Sequence, residues 1–160
     1  MGDPPLYSFD TSAIVNGWRK NYPPDVFPPL WEKLDELIDS GKVIAISEVL
    51  VELEKQDDEV YVWAKRRRKM FLEIDTDIQI AVAEIMRRFP RLVDTSRSRS
   101  AADPFVIALA RVKGCAVVTE ESMSGSIVKP RIPDVCSVMG IRAIRLLQVV
   151  REQGWVFKDM

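Results

Sequence analysis

Short β-branched runs alternate along this chain with longer stretches in which apolar residues recur at helical spacing, and the predicted elements follow from that alternation. Leu6 to Asp10 predicts a short strand ending in the polar triplet Asp10-Thr11-Ser12. Residues 16–29, with Gly17 and the pairs Pro23-Pro24 and Pro28-Pro29, predict a loop. Leu30, Trp31, Leu34, Leu37 and Ile38 then form the stripe of an amphipathic helix, and Gly41 is a natural stop. Val43 to Ser47 predicts a second strand, running straight into a helix over 48–55. Asp57 or Asp58 can cap a helix through about Met70, with Val60, Trp63 and Met70 inward. Asp75 to Phe89 carries Ile78, Val82, Ile85 and Met86 on one helical face, and Pro90 ends it.

A polar linker at 94–100 leads into the most informative stretch, 100–121. Asp103 directly precedes Pro104, whose missing N–H and fixed φ suit the first helical position, so Asp103 reads as an N-cap. Phe105, Val106, Ala108, Leu109 and Val112 give that helix a broad buried stripe, and Gly114 ends it. Cys115 to Thr119 predicts a strand buried on both faces, followed by the acidic pair Glu120-Glu121. Farther on, Ile132-Pro133-Asp134 starts a short helix, Ile141 to Ile144 predicts a last strand, and 146–152 a closing helix.

Strands alternating with helices predict one α/β domain over 1–160, a three-layer α/β/α sandwich with a mainly parallel central sheet, because parallel neighbours need crossovers of this length. In such sheets ligands bind beyond the carboxyl ends of the strands. Those ends carry Asp10, then Ser47, Glu48 and Glu52, then Glu120 and Glu121, with Asp103 opening the helix before the last of these strands. Every landmark offers oxygen ligands, and none brings a glycine-rich phosphate loop.

Composition narrows the chemistry. The 160 residues are 47% hydrophobic, enough for a full core, and their 29% charged residues nearly balance at a formal −1. No histidine is present, which removes histidine-dependent triads, histidine bases and His-ligated zinc. Cys115 and Cys136 stand far apart with no CxxC, as expected of reduced thiols in a cytoplasmic protein. No apolar segment is long enough to span a membrane. Several carboxylates held a few ångströms apart cannot all stay ionised unless a cation neutralises them. Hard oxygen ligands suit Mg²⁺ or Mn²⁺, which activate water in phosphodiester hydrolysis without any histidine.

Bland roles compete at each position. Asp10 could merely cap a turn, and Glu48, in the first turn of its helix, suits the helix dipole. Glu52 shares a face with Glu48, one turn on. Glu120 and Glu121 could be ordinary loop charges. A phosphatase with Asp10 as nucleophile is disfavoured, since such enzymes of the haloacid-dehalogenase type carry a second Asp two residues on, where Ser12 stands.

The pieces YSFDTS at 7–12, ISEVLVEL at 46–53, ADPFVIALA at 102–110 and VVTEE at 117–121 resemble, in order and spacing, those of PIN-domain proteins, the nuclease fold of VapC-type toxins. The resemblance implies metal-binding acidic roles for Asp10, Glu52, Asp103 and Glu121, with Glu48 and Glu120 as secondary acids and Thr11 or Thr119 as polar helpers. It implies a Mg²⁺- or Mn²⁺-dependent endoribonuclease, with RNA as substrate and an antitoxin protein and a second copy of the chain as partners. Glu120-Glu121 stands where the family usually has Asn-Asp, and the segments around 57–89 lengthen the chain, which places it in a PIN-like branch. The alternative is a PIN-like module that binds RNA or protein without turnover. For the RNA itself, Arg97 and Arg99 shortly before Asp103, and Lys65 and Arg68 from the basic run 65–69, are the candidate phosphate contacts; a solvated helix face is the competing role of that run.

Overall fold

Five short strands organise the computed structural model, which describes residues 4–93 and 101–158. They are β1 (Tyr7–Phe9), β2 (Val43–Ile46), β3 (Phe71–Leu72), β4 (Ala116–Val118) and β5 (Ala143–Ile144), in the order β3-β2-β1-β4-β5, with every pair parallel. Tyr7 is in register with Val43 on one side and Ala116 on the other, so β1 is the middle strand. Successive connections run outward from β1 through β2 to β3, and then from β4 to β5 on the other side. With right-handed crossovers, this reversal puts helices on both faces of the sheet, the three-layer α/β/α arrangement. It also opens a crevice between the carboxyl ends of β1 and β4.

Eight α-helices cover the sheet among the described residues: α1 (Thr11–Asn16), α2 (Pro28–Asp39), α3 (Ser47–Gln56), α4 (Asp58–Lys65), α5 (Thr76–Arg88), α6 (Asp103–Lys113), α7 (Ile132–Met139) and α8 (Leu146–Glu152). The apolar stripe of α2 is buried through Leu30, Trp31, Leu34, Leu37 and Ile38, as the spacing predicts. Phe9, Ile46, Ile107 and Leu109 are completely buried, joining β1, β2 and α6 in one continuous apolar core. The predicted strand and helix character holds for most of the chain, with boundaries moved by a residue or two.

Three local expectations are corrected. Residues 16–29 are only partly a loop: Asp10 starts α1, and a π-helical turn at Gly17–Asn21 continues it. Gly17 is there for proximity, since a Cβ at this position would come 3.0 Å from Leu146 Cδ2. The turn delivers Trp18 to Trp31 and Trp63, with ring centroids 5.0 and 6.1 Å away, so three tryptophans share one cluster. The helix expected to reach Met70 stops at Lys65; a 3₁₀ turn and β3 follow, a two-residue edge strand too short to leave a periodic signal. Finally, Asp103 is not the N-cap of α6. Ala102 occupies that position and Asp103 is the first helical residue, with Pro104 behind it in the first turn, where its missing N–H leaves no hydrogen bond unmade. Both cysteines are free, Cys136 buried and Cys115 half-buried. No helix among the described residues is long and apolar enough to cross a membrane.

Candidate functional site

The crevice beyond β1 and β4 is a cavity of about 800 Å³ with acids on its floor: Asp10, Glu52, Asp103 and Glu121 all line it. Each arrives from a different element. Asp10 ends β1, whose pairing with β4 continues through the Asp10 N–H, which donates to the Val118 carbonyl at 2.8 Å. Glu52 projects from α3, Asp103 begins α6, and Glu121 lies two residues beyond Thr119 at the end of β4.

Asp10 is the most firmly held. Its Oδ1 accepts from the Thr11 N–H at 2.8 Å, and its Oδ2 accepts from Ser12 Oγ at 2.7 Å and Thr119 Oγ1 at 2.8 Å. Both polar helpers named from the sequence are therefore engaged, Thr119 on Asp10 and Thr11 on Glu52. Thr11 Oγ1 donates to Glu52 Oε1 at 2.6 Å, while the Ala102 N–H donates to Glu52 Oε2 at 3.3 Å. Glu52 thus ties α1 to the turn that enters α6. Asp103 is different. It is only 6% exposed, yet no donor among the described residues reaches its carboxylate.

Oxygen atoms of Asp10, Asp103 and Glu121 lie within 4.8 Å of one another. Burial raises the pKa of Asp103 strongly, and the charges of Glu121, Asp10 and Glu52 push it the same way. Burial, reinforced by Asp10, raises Glu121 too, although the Ile132 N–H and Arg131 oppose the shift. Asp10 and Glu52 are raised chiefly by burial, against the donors that hold them. Without a counter-ion this floor must bind protons; with a divalent cation it need not. The donor set fits such an ion. Its members are all hard carboxylate oxygens, gathered within 4.8 Å of one another, so that one Mg²⁺ or Mn²⁺ could be shared among them.

The secondary acids separate. Glu120 turns away from the cavity: its Oε2 accepts from the Leu146 N–H at 2.9 Å at the start of α8, and Arg145 pairs with its Oε1 at 3.6 Å. Glu121 lines the cavity while its neighbour Glu120 faces α8, as alternation in an extended segment requires. Glu48, in the first turn of α3, is not among the cavity-lining residues.

The basic run lies away from the cavity and makes contacts of its own. Arg67 forms a two-point pair with Asp35 at 2.5 and 2.8 Å and lies over the Trp63 ring. Lys65 sits 4.9 Å from the centroid of the Tyr61 ring, and neither Lys65 nor Arg68 lines the cavity. Arg97 and Arg99 lie outside the described residues. Among the described residues the cations that line it are Arg91, Lys129 and Arg131, none of which stands in a dense basic run. Sequence reading missed them because each is isolated in a loop, and only the fold gathers them.

Residues 7–157 match the profile of a family described as "Domain of unknown function (DUF4411)". No curated protein matches the chain.

Proposed function

Because the chain belongs to the DUF4411 family, whose description names no activity, we propose its function from the site: a Mg²⁺- or Mn²⁺-dependent endoribonuclease with a PIN-like acidic centre. The observation that supports this most is Asp103, a buried carboxylate with no donor among the described residues, aimed into a cavity beside Asp10 and Glu121. Carboxylates that serve the fold alone are hydrogen-bonded when buried. Asp103 instead has no donor among the described residues and opens onto the cavity beside two other acids, where a cation would neutralise it.

In this reading Asp10, Asp103 and Glu121 hold the ion and Glu52 stands behind them. A divalent ion held there would supply the chemistry of an activated water at neutral pH and of charge stabilisation on phosphoryl oxygens. Ser12, Thr119 and the Thr11 N–H fix the Asp10 carboxylate so that it need not reorganise. Glu52, already accepting at both oxygens, fixes Thr11 and the entry to α6, and so the position of Asp103. RNA as substrate, an antitoxin partner, a homodimer and a cytoplasmic location come with the PIN-like resemblance and belong to the same proposal.

The test is cleavage of labelled single-stranded and hairpin RNAs with Mg²⁺ or Mn²⁺, with EDTA, and with Asp10→Asn. Metal-dependent cleavage lost in EDTA and in the variant is expected; undiminished cleavage by Asp10→Asn would remove the site assignment. Metal-dependent stabilisation with no cleavage of any RNA would favour the non-catalytic binding module instead. Thr11→Val, which keeps the shape and removes the hydroxyl from Glu52, is expected to lower the rate or the metal affinity about tenfold, as for other groups that orient a metal ligand from behind. A Mn²⁺ titration of initial rates reads both quantities.

A further inference from the structure

Asp134 is a buried acid that the proposed chemistry does not use. It is 4% exposed and stands in the first turn of α7, where its oxygens accept three backbone N–H groups. Oδ2 takes those of Ser124 and Arg131, each at 2.8 Å, and Oδ1 takes that of Gly125 at 3.0 Å. Burial alone would raise this carboxyl, but these donors outweigh it and hold it below the usual range, so it is ionised. The fastening continues outward. Ser124 Oγ donates to the Lys129 carbonyl at 3.0 Å, and Ser126 Oγ accepts from the Lys129 N–H at 3.3 Å. One buried carboxylate thereby sets the backbone on which Lys129 and Arg131 are carried.

Both side chains are exposed and line the cavity above the acids, as does Arg91 from the segment after α5. No carboxylate among the described residues lies within ion-pair distance of these three, whereas Arg19, Arg67, Arg111, Arg142 and Arg145 all have acidic partners. Three cations with no carboxylate at ion-pair distance among the described residues, around an acidic floor, match a ligand whose charges alternate with the site's own: phosphates on the rim and a cation-bridged phosphate at the floor.

Resting on the nuclease reading above, we propose that Asp134 is a positioning residue that locks the segment between Glu121 and Arg131 so that Lys129 and Arg131 grip the backbone phosphates of the strand beside the scissile bond. Lys129 and Arg131 bind and Asp134 acts through them. Arg91 contributes from the other segment.

The experiment measures binding of a short fluorescein-labelled single-stranded RNA by anisotropy in EDTA, using the full chain carrying Asp103→Asn, between about 50 and 200 mM salt. Adding Lys129→Ala and Arg131→Ala is expected to weaken binding about tenfold and to flatten the slope of log affinity against log salt by about 1.4, since each phosphate contact on a single strand contributes about 0.7. Adding Asp134→Asn alone should weaken binding several-fold, and adding it to the Lys129/Arg131 double substitution should weaken it no further, because its effect runs through those side chains. With the floor acids intact, Asp134→Asn should raise KM with kcat little changed. Should Asp134→Asn not fold, Ser124→Ala breaks the same chain of hydrogen bonds more gently and serves the same comparison. An unchanged salt slope in the double substitution, or a loss from Asp134→Asn that persists undiminished without Lys129 and Arg131, overturns the proposal. Absence of cleavage by the unaltered protein with any divalent ion would instead remove the nuclease reading, and the binding arm in EDTA does not depend on it.

Discussion

Asp103→Asn is expected to lower metal-dependent RNA cleavage by about a hundredfold to a thousandfold and, in the same protein stripped of metal, to raise the melting temperature. The loss follows from removing a charged oxygen from the centre of a preorganised site, a change of the size seen when one such electrostatic contact is deleted. The gain follows from the surroundings of Asp103. Burial and three neighbouring acids raise its pKa, so folding at neutral pH without metal must take up a proton that the unfolded chain would release. Asparagine has the same shape and no such requirement. The stabilisation should therefore be small near pH 5 and grow toward pH 8, each kcal/mol being worth about 2–4 °C in a chain of this size.

Asp10→Asn should lose activity equally but gain no stability. Its carboxylate accepts from the Thr11 N–H, Ser12 and Thr119, and an amide can replace only part of that acceptance. Comparing the two variants separates a charge held for a ligand from a charge that also builds the fold. Differential scanning fluorimetry in EDTA alongside cleavage assays makes the comparison. Equal destabilisation by both substitutions, or full activity in Asp103→Asn, would count against a metal role for Asp103.

The sheet was legible because its signals are local and strong. Val43–Ile46 and Ala116–Val118 are β-branched or small apolar runs buried on both faces, and α2, α5 and α8 have clear stripes or stops. Less legible were the elements made by tertiary contact. The π-helical turn at Gly17–Asn21 carries two cations and an asparagine, residues that also suit a loop; its course is set by the packing of Gly17 on Leu146 and of Trp18 on its two partners. Likewise β3 needs only two residues because it borrows its hydrogen bonds from β2.

At the site, residue type and strand ends were enough to bring Asp10, Glu52, Asp103 and Glu121 to one cavity, since a parallel sheet delivers whatever follows its strands to the same edge. They were not enough to say which oxygens would be free. Glu52, a mid-helix acid, and Asp103, read as a helix cap, were both candidates for the metal; the structure gives one two protein donors and the other none among the described residues. Glu120 and Glu121 are the same residue type side by side, and only the direction of each side chain sends one to α8 and the other to the cavity. For the basic residues the limit was of another kind. A dense run draws attention, but Arg67 in it is consumed by Asp35 and Trp63, while isolated Lys129 and Arg131 reach the cavity through a loop whose shape depends on Asp134.

The unaltered protein should show the converse of the Asp103→Asn result, a metal-free stability that falls as pH rises and a divalent ion that reverses the fall. Asp10, Glu52, Asp103 and Glu121 all have folded-state pKa values above their ordinary ones. The folded chain then holds protons that the unfolded chain has given up once pH passes about 4, and each proton so held lowers stability by up to about 1.4 kcal/mol per pH unit until its folded pKa is reached. Asp57, Asp134 and Glu152 are shifted the other way, and the stability they contribute is lost only in acid. In EDTA the melting temperature should accordingly peak near pH 5 and decline into the neutral range. Mg²⁺ or Mn²⁺ competes with those protons for the same oxygens, so it should release protons on binding, and its stabilisation should strengthen as pH rises. At a hundredfold excess over its dissociation constant the ion contributes about 2.7 kcal/mol, an upward shift of about 5–10 °C. Thermal scans from acid to neutral pH, with EDTA and with Mn²⁺, read both slopes. A flat profile in EDTA would mean that the four acids are not crowded in solution, and an ion that shifts melting equally at every pH would place its site somewhere other than this floor.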